Sequence, residues 1–584
     1  MKYNITEFKS AVRYYKKKTK NTKNALIVFD INNTDAYYSI APLSRALHEN
    51  SCDIFVFGRD GRSGILQCLY KTWLLYERMK KGEKTPATKA LKEYINYVKK
   101  KAKGFEKLFV KPDLILKSSE EGFVGSKALA YKKEWHAEHK KSQLTRTANV
   151  IFKQVYNLKK GERTGIGFEL IAKKKDMDAP LEDYLDNFGI AMAMMLSAKR
   201  YGRVSMSAAT NRYSMLKPMN KISDLKTTLT GSELSKNIDE PIFKKFRTLS
   251  KYIGSDNINI SDASFFIAGK GYNGKHLFGQ AFGYPDPKKK TRWQSPGMFI
   301  YQLSYSPQST IDERKPLSRV GFTSTLPMDI FIKTCNIDWL KMKKKNDKLK
   351  KIAAKAEKFV VKSNITKDHK SHMTEFEVSL IKKNGERRLP KGSDVSIRNK
   401  INPTFKKKGI YAGNMSNLPG GEMFVTPENV NGTIVGDVII SIDQSYKLNH
   451  KKPIVVSSNN KGYKIITGPK KILEKIKQKK KEAKQNINKS SIPEKIKKLK
   501  RKNFNLIGEF AINTNPKAEL CDYLIVNEKI AGMIHVALGS GFEADRTTGY
   551  HYDIVINAKR QKLDIYALSK GKKIWVMKKG RLLV

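Results

Sequence analysis

Apolar and polar residues follow two different rhythms along this chain. In the first half, short apolar runs alternate with amphipathic stretches. The run ALIVFDIN at 25–32 reads as a buried strand, 39–49 as a helix and DIFVF at 53–57 as a second strand. Strand, helix, strand at this spacing predicts a parallel α/β unit. Residues 64–81 read as a helix with Ile65, Leu66, Leu69, Trp73, Leu74 and Met79 mostly on one face, and NVIFKQVY at 149–156 reads as a strand. The stretch 181–199 is an apolar helix whose Met192, Met194 and Met195 fill core. Residues 204–214 and 264–268 are strand-like. The clearest helix is 338–359, where Met342, Leu349, Ile352, Ala356 and Phe359 recur at helical spacing among lysines.

From about 373 the rhythm changes to short strands with frequent turns. Strands are predicted at 376–381, 394–397, 433–442 and 453–456, and 469–502 interrupts them with one or two basic helices. The expected fold class is α/β (α+β) with two domains. Residues 1–372 form an enlarged N-terminal parallel α/β domain ending in a bridging helix. Residues 373–584 form a mixed α/β domain carrying the insertion 469–502.

Composition narrows the classes. At 584 residues the chain can bury more than one core. The longest near-apolar run, 188–198, is too short for a membrane span, and the N-terminus lacks the apolar centre of a secretory signal. No membrane partner and a cytoplasmic location are therefore expected. Cys52, Cys68, Cys335 and Cys521 have no paired spacing and are expected to be reduced. The net charge of +59 admits nucleic acid as a partner. The lysines are spread along the chain beside abundant Asn and Ile, which favours an AT-rich coding bias as their origin. The segment 469–502 is the densest, with fifteen Lys or Arg against Glu474, Glu482 and Glu494. It reads as a solvated surface hairpin, with a polyanion-binding arm as the alternative. The match to G-x-G-x-x-G at 269–274 opens no helix, so a dinucleotide site is not expected.

The candidate chemistry lies in the last quarter. Four segments, 420–427, 506–516, 527–542 and 551–556, bring Glu422, Glu509, His535, His551 and Asp553 beside glycines or strand-like runs. Three carboxylates and two imidazoles suit two divalent cations that share a carboxylate or a water. His551 and Asp553 are two apart in a strand, so both face one side and Tyr552 and Ile554 the other. Glu509 follows Leu506, Ile507 and Gly508, which places a carboxylate in a buried strand where a cation or donor must satisfy it. Gly508 and the Gly420–Gly421 pair would let backbone approach the site closely. A lone Glu or His is normally structural, and His535 on an apolar segment is normally a hydrogen-bonded core histidine. The five together are the signal.

These segments resemble the thermophilic metalloaminopeptidases of the aminopeptidase T type. Gly413, Asn414, Leu418, Pro419, Gly421, Glu422, Phe424 and Pro427 stand in one motif of that family, followed by Asn431, Gly432 and Asp437. Gly508, Glu509, Thr514 and Asn515 stand in a second. Glu528, Lys529, Ile530, Gly532, His535, Ala537, Leu538 and Gly539 stand in a third, and His551, Tyr552 and Asp553 form the last. The resemblance is good over roughly 360–564 and looser over 321–358 and the first α/β unit. It implies a two-metal aminopeptidase that releases N-terminal residues from peptides. It further implies two ions of zinc, cobalt or magnesium type on Glu422, Glu509, His535, His551 and Asp553. Peptides are the implied substrates, and a second copy of the chain is an implied partner. The candidate catalytic residues are Glu422, Glu509 and Lys529. The spacing leaves open which carboxylate bridges and which is the general base. Lys529 either orients a carboxylate or aids the oxyanion, a surface or supporting lysine being the alternative. One departure bears on activity: Phe542 stands where the family has a catalytic tyrosine. The rival reading is a catalytically weakened relative serving as a basic RNA- or ribosome-binding module.

Overall fold

β1 (Asn24–Asp30) buries Ala25, Leu26, Ile27, Val28 and Phe29 in succession. A strand covered on both faces belongs in a parallel sheet. β1 pairs in parallel with β2 (Asp53–Arg59) and with β3 (Leu114–Lys117). A second parallel block comprises β4 (Thr164–Glu169), β5 (Val204–Ala209), β6 (Ala263–Ala268) and β7 (Arg319–Ser324). The blocks meet in one antiparallel pair, β2 with β5. Within residues 1–332 the strand order is β7-β6-β4-β5-β2-β1-β3. The helix Leu181–Ala198 buries Phe188, Met192, Met194 and Met195, so its methionines are core.

The computed structural model describes residues 3, 5–32, 34–59, 65–101, 114–117, 138–162, 164–169, 181–209, 247–253, 263–268, 319–365, 373–392, 415–448, 450–489, 494–541, 543–546 and 548–584. The strand expected at 394–397, the glycine motif at 269–274, the pair Gly413–Asn414 and Phe542 lie outside the described residues. Among the described residues no helix is long and apolar enough to cross a membrane. Cys52, Cys335 and Cys521 are free thiols.

The expected strand at 149–156 is instead the end of the helix Glu138–Val150 and a π turn, Ile151–Val155. Ile151, Phe152, Val155 and Tyr156 are buried together, which is helical spacing. Their β-branched and aromatic character misled a reading by propensity.

The chain divides into two compact units, Met1–Ile332 and Lys333–Val584. The division thus falls before the change of composition at 373. Pairing explains it: β8 (Lys358–Ser363) bonds to β9 (Glu375–Ser379) within the second unit. The helix Trp339–Lys355 also belongs there. Asp338 caps it by accepting from the Lys341 amide at 3.0 Å. It stops at Ala356, so Phe359 lies in β8 rather than at a helix end.

Further strands follow as β10 (Lys391–Gly392), β11 (Met415–Asn417), β12 (Glu422–Val425), β13 (Asn429–Gly436), β14 (Ile439–Ser441), β15 (Ser445–Lys447), β16 (Ile454–Asn459) and β17 (Gly462–Thr467). After the helices Lys470–Lys489 and Glu494–Lys502 come β18 (Ile507–Asn513), β19 (Ile534–Gly539), β20 (His551–Ile556), β21 (Leu563–Ser569), β22 (Lys572–Lys578) and β23 (Arg581–Leu582). Two antiparallel sheets result. One has the order β10-β12-β18-β19-β20-β14-β15 and the other β17-β16-β13-β9-β8-β21-β22-β23. They share one hydrophobic core in which Phe510 of the first meets Phe359 and Phe376 of the second, at ring separations of 5.5 and 6.1 Å.

The stretch 433–442 is two strands, not one. The chain leaves β13 at Gly436 and enters β14 in the other sheet. A Cβ on Gly436 would lie 2.1 Å from Ile554, so only glycine passes there. Asp437 fixes the crossing by accepting from the Asn557 amide at 2.9 Å and from Arg560 at 3.0 Å.

Arg388 ties the unit together from within. Its guanidinium, 2 % exposed, reaches Glu543 at 2.8 Å, Glu428 at 2.6 Å and both Asp545 oxygens at 2.7 and 2.9 Å. Arg388→Met would leave the buried Glu543 with only Lys382 and the Leu389 amide, each at 3.2 Å, and would break the ties to Glu428 and Asp545. It is expected to cost about 3–5 kcal/mol of stability in urea unfolding. A loss below about 1 kcal/mol would show the network to be dispensable.

Candidate metal centre

Strand alternation sorts the first sheet of the second unit into an apolar and a polar face. Met423, Val425, Phe510, Ile512, Ile534, Val536, Leu538, Tyr552 and Ile554 all enter the core. Their neighbours Glu422, Glu509, His535, His551 and Asp553 lie on the opposite face. Register then brings these five together. Glu422 stands across from Asn513, and Ala511 across from His535. Glu509, Ala537 and Asp553 share one row, with His551 across from Gly539. Ala511 and Ala537 sit between these five residues and are too small to fill the space over the sheet.

The nitrogens and oxygens converge. His535 Nε2 lies 3.6 Å from Glu422 Oε2 and 3.5 Å from Glu509 Oε1. His551 Nε2 lies 3.3 Å from Glu509 Oε2 and 3.2 Å from Asp553 Oδ1. Glu422, Glu509 and His535 form one group able to hold a metal ion, and Glu509, His551 and Asp553 another, each with ligand atoms within 4.8 Å. Glu509 is common to both. All are buried except His551, whose side chain is 29 % exposed and marks the accessible side.

Both imidazoles are aimed from behind. His535 Nδ1 is 2.9 Å from Asn513 Oδ1, and His551 Nδ1 donates to the Ser540 carbonyl at 2.6 Å. Each Nε2 is thereby turned toward the carboxylates, the usual preparation of a metal-binding histidine. Two glycines make the close approaches. Gly421, at φ +125°, would place a Cβ 2.8 Å from the Asn515 amide nitrogen. A Cβ on Gly508 would meet the Ser540 carbonyl oxygen at 2.1 Å, the same oxygen that holds His551.

Lys529 is fully enclosed, its ammonium 2.5 Å from Glu422 Oε1 and 2.9 Å from Glu528 Oε1. Asn515 sets its position, accepting from the Ala531 amide and donating to the Lys529 carbonyl, while its side chain donates to the Gly420 carbonyl at 2.8 Å. Thr514 donates to Asn346 Oδ1 at 2.8 Å. The Thr-Asn pair is thus the clasp between the Glu422 and Lys529 segments. Asn513 is a participant that the motifs did not include, and Glu528 one that stood in a motif without a role. Asn513 was recoverable, because it shares the face of Glu509 by strand period.

The charges are unbalanced. Glu422, Glu509, Glu528 and Asp553 face one lysine. Burial raises the Glu528 carboxyl to about 7, an upward push that Lys529 opposes and that Asp553 and Glu422 reinforce. Burial would lower His535, but Glu509, then Glu422 and Asp553, carry it up to about 9. His551 is likewise driven well above its ordinary value by Asp553 and Glu509 against the effect of burial. Burial would raise Glu509, but the two imidazoles hold it well below the carboxylate range. Protons on the imidazoles therefore occupy positions suited to cations. Glu422 Oε2 and Asp553 Oδ1 are buried without a hydrogen-bond partner, one in each ligand group. A bound cation is one way to satisfy oxygen atoms left so, and the surrounding donor set is of a kind that holds one.

In chelated protein, the raised His535 pKa adds stability that is complete below about pH 6.5 and lost as pH rises through about 9. Glu528 acts in the same direction. Thermal unfolding of chelated protein is expected to weaken between pH 6.5 and 9 by about 3 kcal/mol for His535. A divalent ion should flatten that profile. Stability that rises with pH across this window would contradict the charge arrangement.

No protein-family model matches the chain, and no curated protein matches it. Among solved structures, wild-type AmpT from Thermus thermophilus is similar at 14% sequence identity and a TM-score of 0.39, over 76% of this chain and 100% of that one.

Proposed function

We propose that the second unit is a two-metal hydrolase that removes N-terminal residues from peptides. The observation that carries this reading is Glu509, a buried carboxylate common to two ligand groups that each hold a buried oxygen without a hydrogen bond. Glu422, Glu509 and His535 would hold one ion, and Glu509, His551 and Asp553 the other. One imidazole in each group favours zinc or cobalt over magnesium. When bound, such ions supply a water ionised near neutral pH and positive charge for an oxyanion. Glu422 is presented through Oε2 because Lys529 occupies Oε1. Lys529 acts here as a positioning residue, its ammonium already engaged by two carboxylates. Glu528, with a carboxyl near neutrality, can hold or release a proton at the wall of the site. Substrate enters from the side of His551.

A second activity of the same chain, binding of nucleic-acid backbone, is favoured by one observation. Lys470, Lys477, Lys481 and Lys484 are all exposed. At 3.6 residues per turn they form one stripe, about 21 Å long, on the helix Lys470–Lys489. Lys475 and Lys479, on the opposite side of the helix, pair with Asp443. The stripe has no acidic partner among the described residues, and it lacks aromatic side chains that would stack bases. It therefore suits the phosphates of a duplex, read without regard to sequence.

Two experiments separate these readings. Metal content and peptidase activity should both fall in Glu509→Gln, with activity lost by at least about 10²-fold. Full metal content with full turnover in that variant would remove Glu509 from the site. For the stripe, changing all four lysines to Gln should reduce the salt slope of binding to a 20-base-pair duplex by about 3–4. An unchanged slope would show these lysines to be merely solvated.

A further inference from the structure

The helical insertion is more than a surface addition, because its inner side grips the loop that leads into His551. Ile472, Ile476, Ala483 and Ile487 form its buried face. The second helix is fastened to the first by Arg501, which donates to Asn488 Oδ1 at 3.0 Å. From these two helices, contacts run to residues 545–550. Thr548 donates to the Lys500 carbonyl at 2.6 Å, and Asn503 donates to the Asp545 carbonyl at 2.8 Å. Gly549 lies so near Ile487 that a Cβ would approach it to 2.9 Å.

Lys480 is the central anchor. Its ammonium donates to Tyr463 Oη and Asn505 Oδ1, both at 2.8 Å. It also lies over three rings, 4.5 Å from Tyr463, 5.5 Å from Phe504 and 5.5 Å from Tyr550. The Tyr463 and Tyr550 hydroxyls are 2.7 Å apart, and Tyr550 also donates to the Phe504 carbonyl. Tyr550 immediately precedes His551. Its carbonyl accepts from the Ser540 amide at 2.8 Å, and the Ser540 carbonyl in turn accepts from His551 Nδ1. A continuous chain of contacts thus runs from Lys480 through Tyr550 and Ser540 to His551. This matters most for His551, which begins its strand and is the most exposed of the five side chains. Glu509 and Asp553 lie within strands paired on both sides, whereas the direction of the His551 ring depends on one loop carbonyl.

We infer that the insertion 470–502 is a brace for His551, and that Lys480 is a positioning residue acting through Tyr550 and Ser540 on one of the two ligand groups. This rests on the two-metal reading for its functional meaning, but the brace itself can be tested without metal. The plain alternative is a helical pair that only adds stability to the unit.

The experiment compares wild type, Lys480→Met and Lys480→Arg. Methionine keeps the apolar stem but removes the charge and its donors. Arginine keeps a cation over the rings. In chelated protein, the His551 Nδ1 proton is assigned by its absence in His551→Gln, and its solvent exchange is followed by NMR. Exchange should speed up about tenfold or more in Lys480→Met, remain slow for His535, and return toward wild type in Lys480→Arg. With Zn²⁺ titrated by calorimetry, Lys480→Met should weaken one of two binding events by about 10–100-fold and leave the other within about twofold. Unchanged His551 exchange, equal weakening of both binding events, or failure of arginine to restore either readout would overturn the brace. If wild type binds no Zn²⁺, the two-metal reading fails, and the exchange measurement alone decides the brace.

Discussion

Four carboxylates and a single lysine, three of the carboxylates on one buried sheet face and Glu528 and Lys529 from the segment before β19, are crowded together, and that surplus of negative charge governs the second unit. Ionised carboxylates out of water are costly unless paired. The structure answers in three ways. Lys529 neutralises one edge, between Glu422 and Glu528. His535 and His551 take up protons that they would not hold in water. Glu528 tends toward its neutral form. His551 Nε2 comes within 3.2 Å of Asp553 Oδ1 and His535 Nε2 within 3.6 Å of Glu422 Oε2, yet neither oxygen accepts a well-formed hydrogen bond. A divalent ion in each ligand group would satisfy both, and it would release the imidazole protons on entering.

The fold makes such a site tolerable. A strand can present charge on one side only if its other side is firmly held. Here the other side of β12, β18, β19 and β20 is interlocked with a second sheet through a continuous core. The polar face therefore does not have to contribute to cohesion. Antiparallel pairing supplies precision, because register fixes which residues share a row. The irregularity between Ile507 and Glu509, next to Gly508, lets the Ser540 carbonyl come near enough to aim His551. The site is thus a product of alternation, register and one close backbone approach, with the loops holding only its edges.

Much of this was legible in the chain, though unevenly. Period-two alternation placed His551 and Asp553 on one side, with Tyr552 on the other. The apolar approach of Leu506 and Ile507 placed Glu509 in a buried strand. What could not be read was register, because it depends on pairing between segments far apart in sequence. For that reason the pairing of Asn513 with His535 went unread, although strand period already put Asn513 on the face of Glu509, and Glu528 had a place in a motif but no role. Two readings failed on local physics. The stretch 149–156 is rich in strand-favouring residues, yet it continues a helix whose buried positions follow helical spacing. At 433–442 an unbroken apolar run hid a crossing between sheets that only Gly436 permits. The helix from Trp339 ended early because Phe359 is buried equally well from a strand, and burial alone does not reveal which element carries a residue.

A basic chain might be thought a poor host for cations, but the distances decide otherwise. With +59 formal charge, the far field of the protein is strongly positive. At physiological salt that field is screened over about 8 Å, whereas the ligand atoms of each group lie within 4.8 Å. Inside the site, local carboxylates dominate, in surroundings less screened than water. The most densely basic element, the helical pair, reaches toward His551 through Tyr550 and neutral backbone groups, with its Lys480 ammonium held over aromatic rings. Its positive charge is thereby handed to ring faces and hydroxyls instead of being directed at the ligands. One segment can then be strongly cationic outside and still support a cation-binding cluster within.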